Sequence, residues 1–388
     1  MREPIVIVGA GQAAAQAVAS LRSDGFAGDI VLFGDEPHLP YQRPPLSKAF
    51  LAGDTTASRL ELKPETFYAE ERVDLRLGQR VVRIDPVAQS VTTADDRATG
   101  YSKLLIATGT RPRALPLPGD GLAGVHHIRA IRDVERFRAE FAPGAKLVVI
   151  GGGYIGLEVA AKARVLSLDV TVIEGQARIL SRVVSDETAG FLDGLHRARG
   201  VDLRTGAGVR AICGADRATG VELTNGEIVP ADIVLIAVGA TPNAELAAEA
   251  GLTVENGIAV DAATHTSAPN IYAAGDVTFF PSRLYGRRIR LESVPNAIGQ
   301  AKAAASAMLG NVVDYDPVPW FWSDQYDIKL QIAGLSQGYD RTECEGDREA
   351  SRFCVRYFAG DRLLAVDSIN DPRSHMGARR SLAPENAG

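Results

Sequence analysis

One pattern occurs twice in the chain. The stretches IVIVGAGQAAAQAVASL (residues 5–21) and LVVIGGGYIGLEVAAKA (residues 147–163) each run four or five branched apolar residues into a Gly-x-Gly turn and an alanine-rich helical stretch. Each is followed by a second apolar run, DIVLFGDE (residues 29–36) and DVTVIEG (residues 169–175). Strand, glycine turn, helix and strand in this order predict parallel strands covered by helices, so the chain is constrained to α/β layers. The turns place Gly9, Gly11 and Ala14 in the first copy, and Gly151, Gly153 and Gly156 in the second. Glycine here lets the backbone turn tightly and approach a pyrophosphate, which the positive helix end stabilises. Two such turns predict two bound dinucleotides.

The ends of the second strands indicate which dinucleotide each site takes. Glu174 closes the strand of the second copy, 18 residues after Gly156. A carboxylate there hydrogen-bonds a ribose 2′-hydroxyl and repels a 2′-phosphate, which predicts NADH over NADPH; Arg178 and Arg182 lie close by. In the first copy the strand ends at Gly34, so the acids are shifted, and Asp35 is expected to bind an adenosine ribose. The net charge of −6 gives no reason to expect bulk binding to nucleic acid or an anionic membrane. The N-terminus runs directly into a strand, so no leader is expected, and the cytoplasm is the expected location. Three cysteines, Cys213, Cys344 and Cys354, in no paired spacing predict neither a disulfide framework nor a metal site.

Two further segments narrow the class. KLLIATGTRP (residues 103–112) reads as a buried strand entering a Thr108–Gly109 turn, and NIYAAGDVT (residues 270–278) as a strand delivering Asp276 after a glycine. GAGQAA, ATG and YAAGD in this order resemble the FAD-binding half of the two-dinucleotide flavoprotein disulfide reductase superfamily. The resemblance implies that Asp276 hydrogen-bonds the ribityl chain of FAD. Disulfide reductases of that superfamily carry a Cys-x4-Cys pair after the first strand pair, and its peroxidases and oxidases a single cysteine. This chain carries YQRPPLSK (residues 41–48) there instead.

YQRPPLSK, VVIGGGYIGLEVA, LESVPNA and WFWSDQY together resemble the NADH-dependent ferredoxin reductases that serve oxygenases, from residue 5 to about residue 380. The resemblance implies that Lys48 lies beside the flavin ring and pairs with Glu158. An ammonium fixed at that edge would stabilise charge developing during hydride transfer, and the two prolines pre-position it. The resemblance also assigns Ala13, Arg43, Val81, Arg129, Val294 and Trp322 to FAD, beside the turn residues. To the nicotinamide nucleotide it assigns Tyr154, Ile155, Arg182 and Gly239. His126 and His127 read as structural. No metal ligand set is expected.

DIVLIAVGATPN (residues 232–243) echoes KLLIATGTRP, so the second dinucleotide unit reads as an insertion between two hinges. The predicted fold class is α/β: two Rossmann-like domains and a small α+β C-terminal domain. The FAD domain spans 1–110 and 240–317, the NAD(H) domain 111–239 and the C-terminal domain 318–388. In the last, IKLQIAGL, RFCVRYF and RLLAVDSI read as three strands, with Cys354 in the core. The expected cofactors are FAD and NAD(H), and the expected partner is a [2Fe–2S] ferredoxin supplying a cytochrome P450 or a Rieske-type oxygenase. Because a ferredoxin is acidic, Arg287, Arg288, Arg290, Lys302 and Lys329 are expected to form its local docking charge. Two other readings stay open: a rubredoxin reductase or NADH oxidase of the same superfamily, and an NADH-sensing flavoprotein similar to apoptosis-inducing factor.

Overall fold

The structure, a computed structural model, describes residues 3–383. The chain forms two compact units, one built from Met1–Gln42, Leu60–Arg111 and Thr241–Pro319, the other from Arg43–Arg59, Pro112–Ala240 and Trp320–Gly388.

In the first unit, five parallel strands lie in the order Ile271–Ala273, Lys103–Ile106, Ile5–Val8, Ile30–Phe33 and Val73–Arg76. The central strands IVIV and IVLF are buried at every position, which is why they read as unbroken apolar runs rather than as alternating ones. The helices Gln12–Ser23 and Val294–Met308 share a core of alanines with this sheet, among them Ala14, Ala17, Ala301 and Ala304. Small side chains let the two helix backbones lie close together. The strand order reverses between Ile5–Val8 and Lys103–Ile106, and a crevice at such a reversal is where open α/β sheets take ligands.

The second unit repeats the plan. Its parallel strands lie in the order Asp202–Thr205, Asp169–Glu174, Lys146–Ile150, Ile233–Ile236 and Val125–His126. The order reverses between Lys146–Ile150 and Ile233–Ile236. A three-stranded antiparallel meander, Val209–Gly214, Ala218–Leu223 and Ile228–Pro230, shares a core with this sheet through Ile212, Val221 and Val229. The first unit has a matching meander of Val81–Asp85, Ser90–Thr93 and Ala98–Gly100. Sequence patterning found neither.

The C-terminal segment adds an antiparallel sheet of five strands and the helix Pro372–Ser381. The three expected strands are present as Ile328–Gly334, Arg352–Ala359 and Arg362–Ile369, with Cys354 buried. Trp320–Gln325 and Arg341–Asp347 form the two edges and were not anticipated. Among the described residues, no helix is long and apolar enough to cross a membrane.

Candidate functional site

The two glycine turns use their glycines for two different reasons. Gly9 and Gly151 have φ of +114° and +112°, and a Cβ on either would meet the carbonyl oxygen of Ala107 at 2.2 Å or Ala237 at 2.5 Å. These two are required by the fold: they hold the strand before each glycine turn, Ile5–Val8 or Lys146–Ile150, against the strand across the reversal. Gly11 and Gly153 have ordinary φ of −104° and −84°, and a Cβ there would meet no protein atom within 4 Å. Nothing in the polypeptide demands glycine at these helix starts. The space is left for a group that approaches the helix N-terminus closely, and a pyrophosphate fits that requirement.

In the first unit, Thr108 and Gly109 follow the strand Lys103–Ile106 and are held by Asn243. The Thr108 hydroxyl donates to the Asn243 carbonyl at 2.8 Å, the Asn243 amide donates to the Thr108 carbonyl at 2.9 Å, and the Asn243 N–H donates to the Gly109 carbonyl at 2.9 Å. Gln300 fixes the turn before Asp276 by accepting from the Gly275 N–H at 2.8 Å and the Thr278 hydroxyl at 2.7 Å. A Cβ at Gly275 would touch Ala13 at 3.3 Å, so Ala13 and the Asp276 turn lie together. Val294 opens the helix capped by the Ser293 side chain, with Pro295 in its first turn. Asp35 is exposed just after the strand Ile30–Phe33, whereas its neighbour Glu36 accepts from the Tyr41 hydroxyl at 2.7 Å. Val81 begins the first strand of the meander and is buried.

In the second unit, one oxygen of Glu174 accepts from the Gly152 N–H and the other from the Gln176 N–H, each at 2.8 Å. The carboxylate is therefore aimed at the glycine turn by the backbone itself. Gly156 could carry no side chain, because a Cβ there would lie 2.2 Å from the Gly151 carbonyl oxygen. Gly239 ends the neighbouring crossing, and the nearest atoms to its Cβ position are the Arg113 and Arg182 guanidinium groups at 3.9 Å. Ile155 is exposed at 49%, on the same helix start. The Tyr154 ring packs on Phe321 at 4.7 Å, and its hydroxyl is buried without a partner, held well above its usual range by burial and by Asp367.

Around Glu158, on the helix Tyr154–Val165, the second unit gathers the PPLSK turn and the strand Trp320–Gln325. PPLS (Pro44–Ser47) forms one turn of 3-10 helix, for which proline supplies the fixed φ, and Lys48 follows it. Lys48 Nζ lies 2.9 Å from Glu158 Oε1. Glu158 is buried at 4% exposure on the helix Tyr154–Val165. Ser47 Oγ donates to its Oε2 at 2.5 Å and Ser323 Oγ to its Oε1 at 2.7 Å. A buried carboxylate needs this many donors, since desolvation penalises the charge unless it is paired and hydrogen-bonded. The guanidinium of Arg43 donates to the Arg129 carbonyl at 2.6 Å, which brings those two residues together. Trp322 is half-buried, its ring 5.7 Å from that of Trp320, which is in turn covered by the Arg379 guanidinium at 4.7 Å.

The expected docking charges do not form one free set. The Arg288 guanidinium donates to the carbonyls of Val260 and Phe279, and Arg290 pairs with Glu292 at 2.5 Å. Both are engaged within the fold, a correction to the expectation: Arg288, on the short strand Arg287–Ile289, meets backbone acceptors, and Arg290, just after that strand, meets the Glu292 carboxylate and the Asn256 side chain. Arg287, Lys302 and Lys329 are exposed.

Sequence reasoning missed Ser47, Asn243, Gln300, Ser323, Gln325 and His196. Ser47, Asn243, Ser323 and Gln325 lie inside motifs quoted above and Gln300 and His196 outside them, and nothing local marks any of the six as a partner of the site.

The sequence profile described as pyridine nucleotide-disulphide oxidoreductase matches residues 3–301, and the one described as reductase C-terminal matches residues 320–387. Rhodocoxin reductase of Rhodococcus erythropolis is 47% identical over 382 residues, which cover 98% of this chain and 90% of that protein. Putidaredoxin reductase of Pseudomonas putida is 44% identical over 377 residues, covering 95% and 89%. A solved covalent complex of putidaredoxin reductase with putidaredoxin superposes with a TM-score of 0.95 at 42% identity, covering 98% of this chain and 93% of that one.

Proposed function

The chain belongs to the pyridine nucleotide-disulphide oxidoreductase family, and we propose that it is an NADH-dependent ferredoxin reductase delivering electrons to an oxygenase. Its cofactors are FAD and NAD(H). The observation that carries the proposal is the Lys48–Glu158 pair in the segment where thiol-using members of the superfamily carry cysteine. That segment, residues 41–48, itself holds no cysteine to take the electrons; Cys213, Cys344 and Cys354 lie elsewhere in the sequence.

FAD, when bound, accepts a hydride from NADH and passes single electrons to an iron–sulfur acceptor. The protein positions the reactants and shapes their electrostatics. Gly9, Gly11, Ala13, Ala14 and the helix start behind them would hold the FAD pyrophosphate, Asp35 the adenosine ribose and Asp276 the ribityl chain. Thr108, Gly109, Val81 and Val294 complete what the first unit offers. Arg43, Lys48, Arg129 and Trp322 are assigned to FAD by the family resemblance. Gly151, Gly153, Tyr154, Ile155 and Gly156 would receive the NADH pyrophosphate and its neighbours, with Arg182 and Gly239 on the adjoining crossing. Glu174 would accept from the 2′-hydroxyl and repel a 2′-phosphate. Lys48 would stabilise negative charge as it develops, and Glu158 would hold its ammonium in place.

We assign residues 1–110 with 240–317 to FAD binding, 111–239 to NAD(H) binding and 318–388 to flavin covering and partner docking. The partner would be an acidic [2Fe–2S] ferredoxin, met by Arg287, Lys302 and Lys329, with a cytochrome P450 or Rieske-type oxygenase downstream. The proposed location is the cytoplasm. The test is steady-state reduction of a [2Fe–2S] ferredoxin by the purified FAD-loaded protein with NADH, beside the same assay with NADPH and with rubredoxin. Preference for rubredoxin, or NADH oxidation without protein reduction, would overturn the proposal.

A further inference from the structure

We propose that His196, Gln325 and Ser323 form a directional hydrogen-bond chain that fixes the Glu158 carboxylate and, through it, the Lys48 ammonium. The inference rests on the reading that Lys48 acts beside the flavin. It makes these three positioning residues.

All three are buried, at 0%, 1% and 0% exposure respectively. Ser323 and Gln325 are two positions apart on the strand Trp320–Gln325, so they share a face. His196 lies near the end of the helix Asp186–Ala198. His196 Nε2 is 2.9 Å from Gln325 Oε1, Gln325 Nε2 is 3.2 Å from Ser323 Oγ, and Ser323 Oγ is 2.7 Å from Glu158 Oε1. The chain ends on the oxygen that Lys48 also contacts at 2.9 Å.

The direction follows from donor counting. A hydroxyl has one proton. If Ser323 gives it to Glu158, Ser323 must receive a proton from Gln325, which turns the amide NH2 toward it. The amide oxygen then faces His196, which must carry its proton on Nε2. The reversed arrangement fails twice. Turning the amide makes Ser323 donate to Gln325, and Glu158 loses a donor. It also moves the His196 proton to Nδ1, a buried atom with no hydrogen-bond partner, and an unsatisfied buried donor is costly.

The surroundings of His196 suit a neutral ring. Burial pushes its pKa below the usual value, against the opposing pull of Gln325 and of Asp193 on its own helix. The Tyr326 ring packs on it at 5.2 Å, and the Arg199 guanidinium lies over Tyr326 at 5.0 Å. Each proton in the chain therefore points toward Glu158. Ser47 holds the second carboxylate oxygen at 2.5 Å, so the carboxylate is gripped at both oxygens. A charged group can be only as well placed as its supporting shell.

The test uses the FAD-loaded protein. With 15N-labelled histidine at pH 7, NMR should show His196 neutral with its proton on Nε2, the resonance being identified by its loss in His196→Gln. A proton on Nδ1, or a protonated ring, would overturn the proposal. In stopped flow, Ser323→Ala should slow flavin reduction by NADH on the order of tenfold, the factor that one hydrogen bond to a charged group is worth. It should also shift the His196 resonances, and Ser323→Thr should restore both. A rate within about twofold of wild type for a folded Ser323→Ala also overturns it. If that variant does not fold, the wild-type tautomer decides. Failure of the wild-type protein itself to be reduced by NADH would instead strike the proposed function and leave the tautomer result standing.

Discussion

Lys48 Nζ sits 2.9 Å from Glu158 Oε1, and these residues are 110 positions apart in the chain, joined only by the fold. The carboxylate is buried, so removing one partner leaves a charge without compensation. Lys48→Ala should slow hydride transfer in anaerobic stopped flow and destabilise the protein by roughly 2–4 kcal/mol. The double variant Lys48→Ala/Glu158→Gln should recover much of the stability and none of the rate. A double variant no more stable than Lys48→Ala would show that the uncompensated carboxylate is not what destabilises the single variant.

The turn glycines separate into two kinds by the same geometry. Gly9→Ala and Gly151→Ala force a side chain onto a carbonyl at positive φ, so they should lower stability by about 2 kcal/mol or more. Gly11→Ala and Gly153→Ala meet no protein atom and should fold normally. They should lose FAD and NADH affinity respectively. Thermal melts, flavin content and NADH titration separate these outcomes; normal NADH binding by Gly153→Ala would contradict the assignment of that turn.

Much of the site was legible in the sequence because its signals are local. A Gly-x-Gly turn between a strand and a helix needs only a few residues to be seen, and a terminal strand acid such as Glu174 lies at a fixed distance from it. The Lys48–Glu158 pair came from the resemblance, not from spacing. The meanders at Val81–Gly100 and Val209–Pro230 escaped because their strands are short, half exposed and set by non-local pairing. Arg341–Asp347 reads RTECEGD, polar throughout, because it is an exposed edge strand. His196 and Gln325 meet across 129 residues, and Ser323 and Glu158 across 165, so neither contact leaves a sequence pattern.

Nucleotide choice should follow Glu174. Its two oxygens already accept from Gly152 and Gln176, so the charge is fixed where a 2′-phosphate would be repelled. Glu174→Gln removes the charge and keeps one acceptor. The ratio of kcat/KM for NADH over NADPH should fall by about tenfold or more, mostly through KM for NADPH. An unchanged ratio would remove Glu174 from the discrimination.

Asp367 makes stability depend on pH. Burial pushes its carboxyl up to about 7, despite the Tyr357 hydroxyl that donates to it. The folded state thus holds this proton more tightly than the unfolded chain, whose aspartate titrates near about 4. The contribution to stability is full below the unfolded value and is lost as pH rises toward about 7. Asp367→Asn removes the loss, so the variant should gain on wild type by a few kcal/mol between about pH 4 and pH 8. Urea unfolding at both ends checks it; a difference that does not change with pH would contradict the assignment.

Partner docking should respond to salt at the exposed cations. Lys329→Glu and Lys302→Glu should each slow association with an acidic ferredoxin at low ionic strength and converge on wild type at high salt. Arg288→Ala should instead cost stability, because its guanidinium supports the carbonyls of Val260 and Phe279.

The most direct test of the whole account is an anaerobic stopped-flow trace of the flavin absorbance. NADH is mixed with the FAD-loaded protein, and an oxidised [2Fe–2S] ferredoxin follows. NADH should bleach the flavin band fast and NADPH much more slowly, and the band should recover as the ferredoxin is reduced. Slow bleaching with a persistent long-wavelength band and no ferredoxin reduction would contradict this, and would point to a nucleotide-sensing flavoprotein.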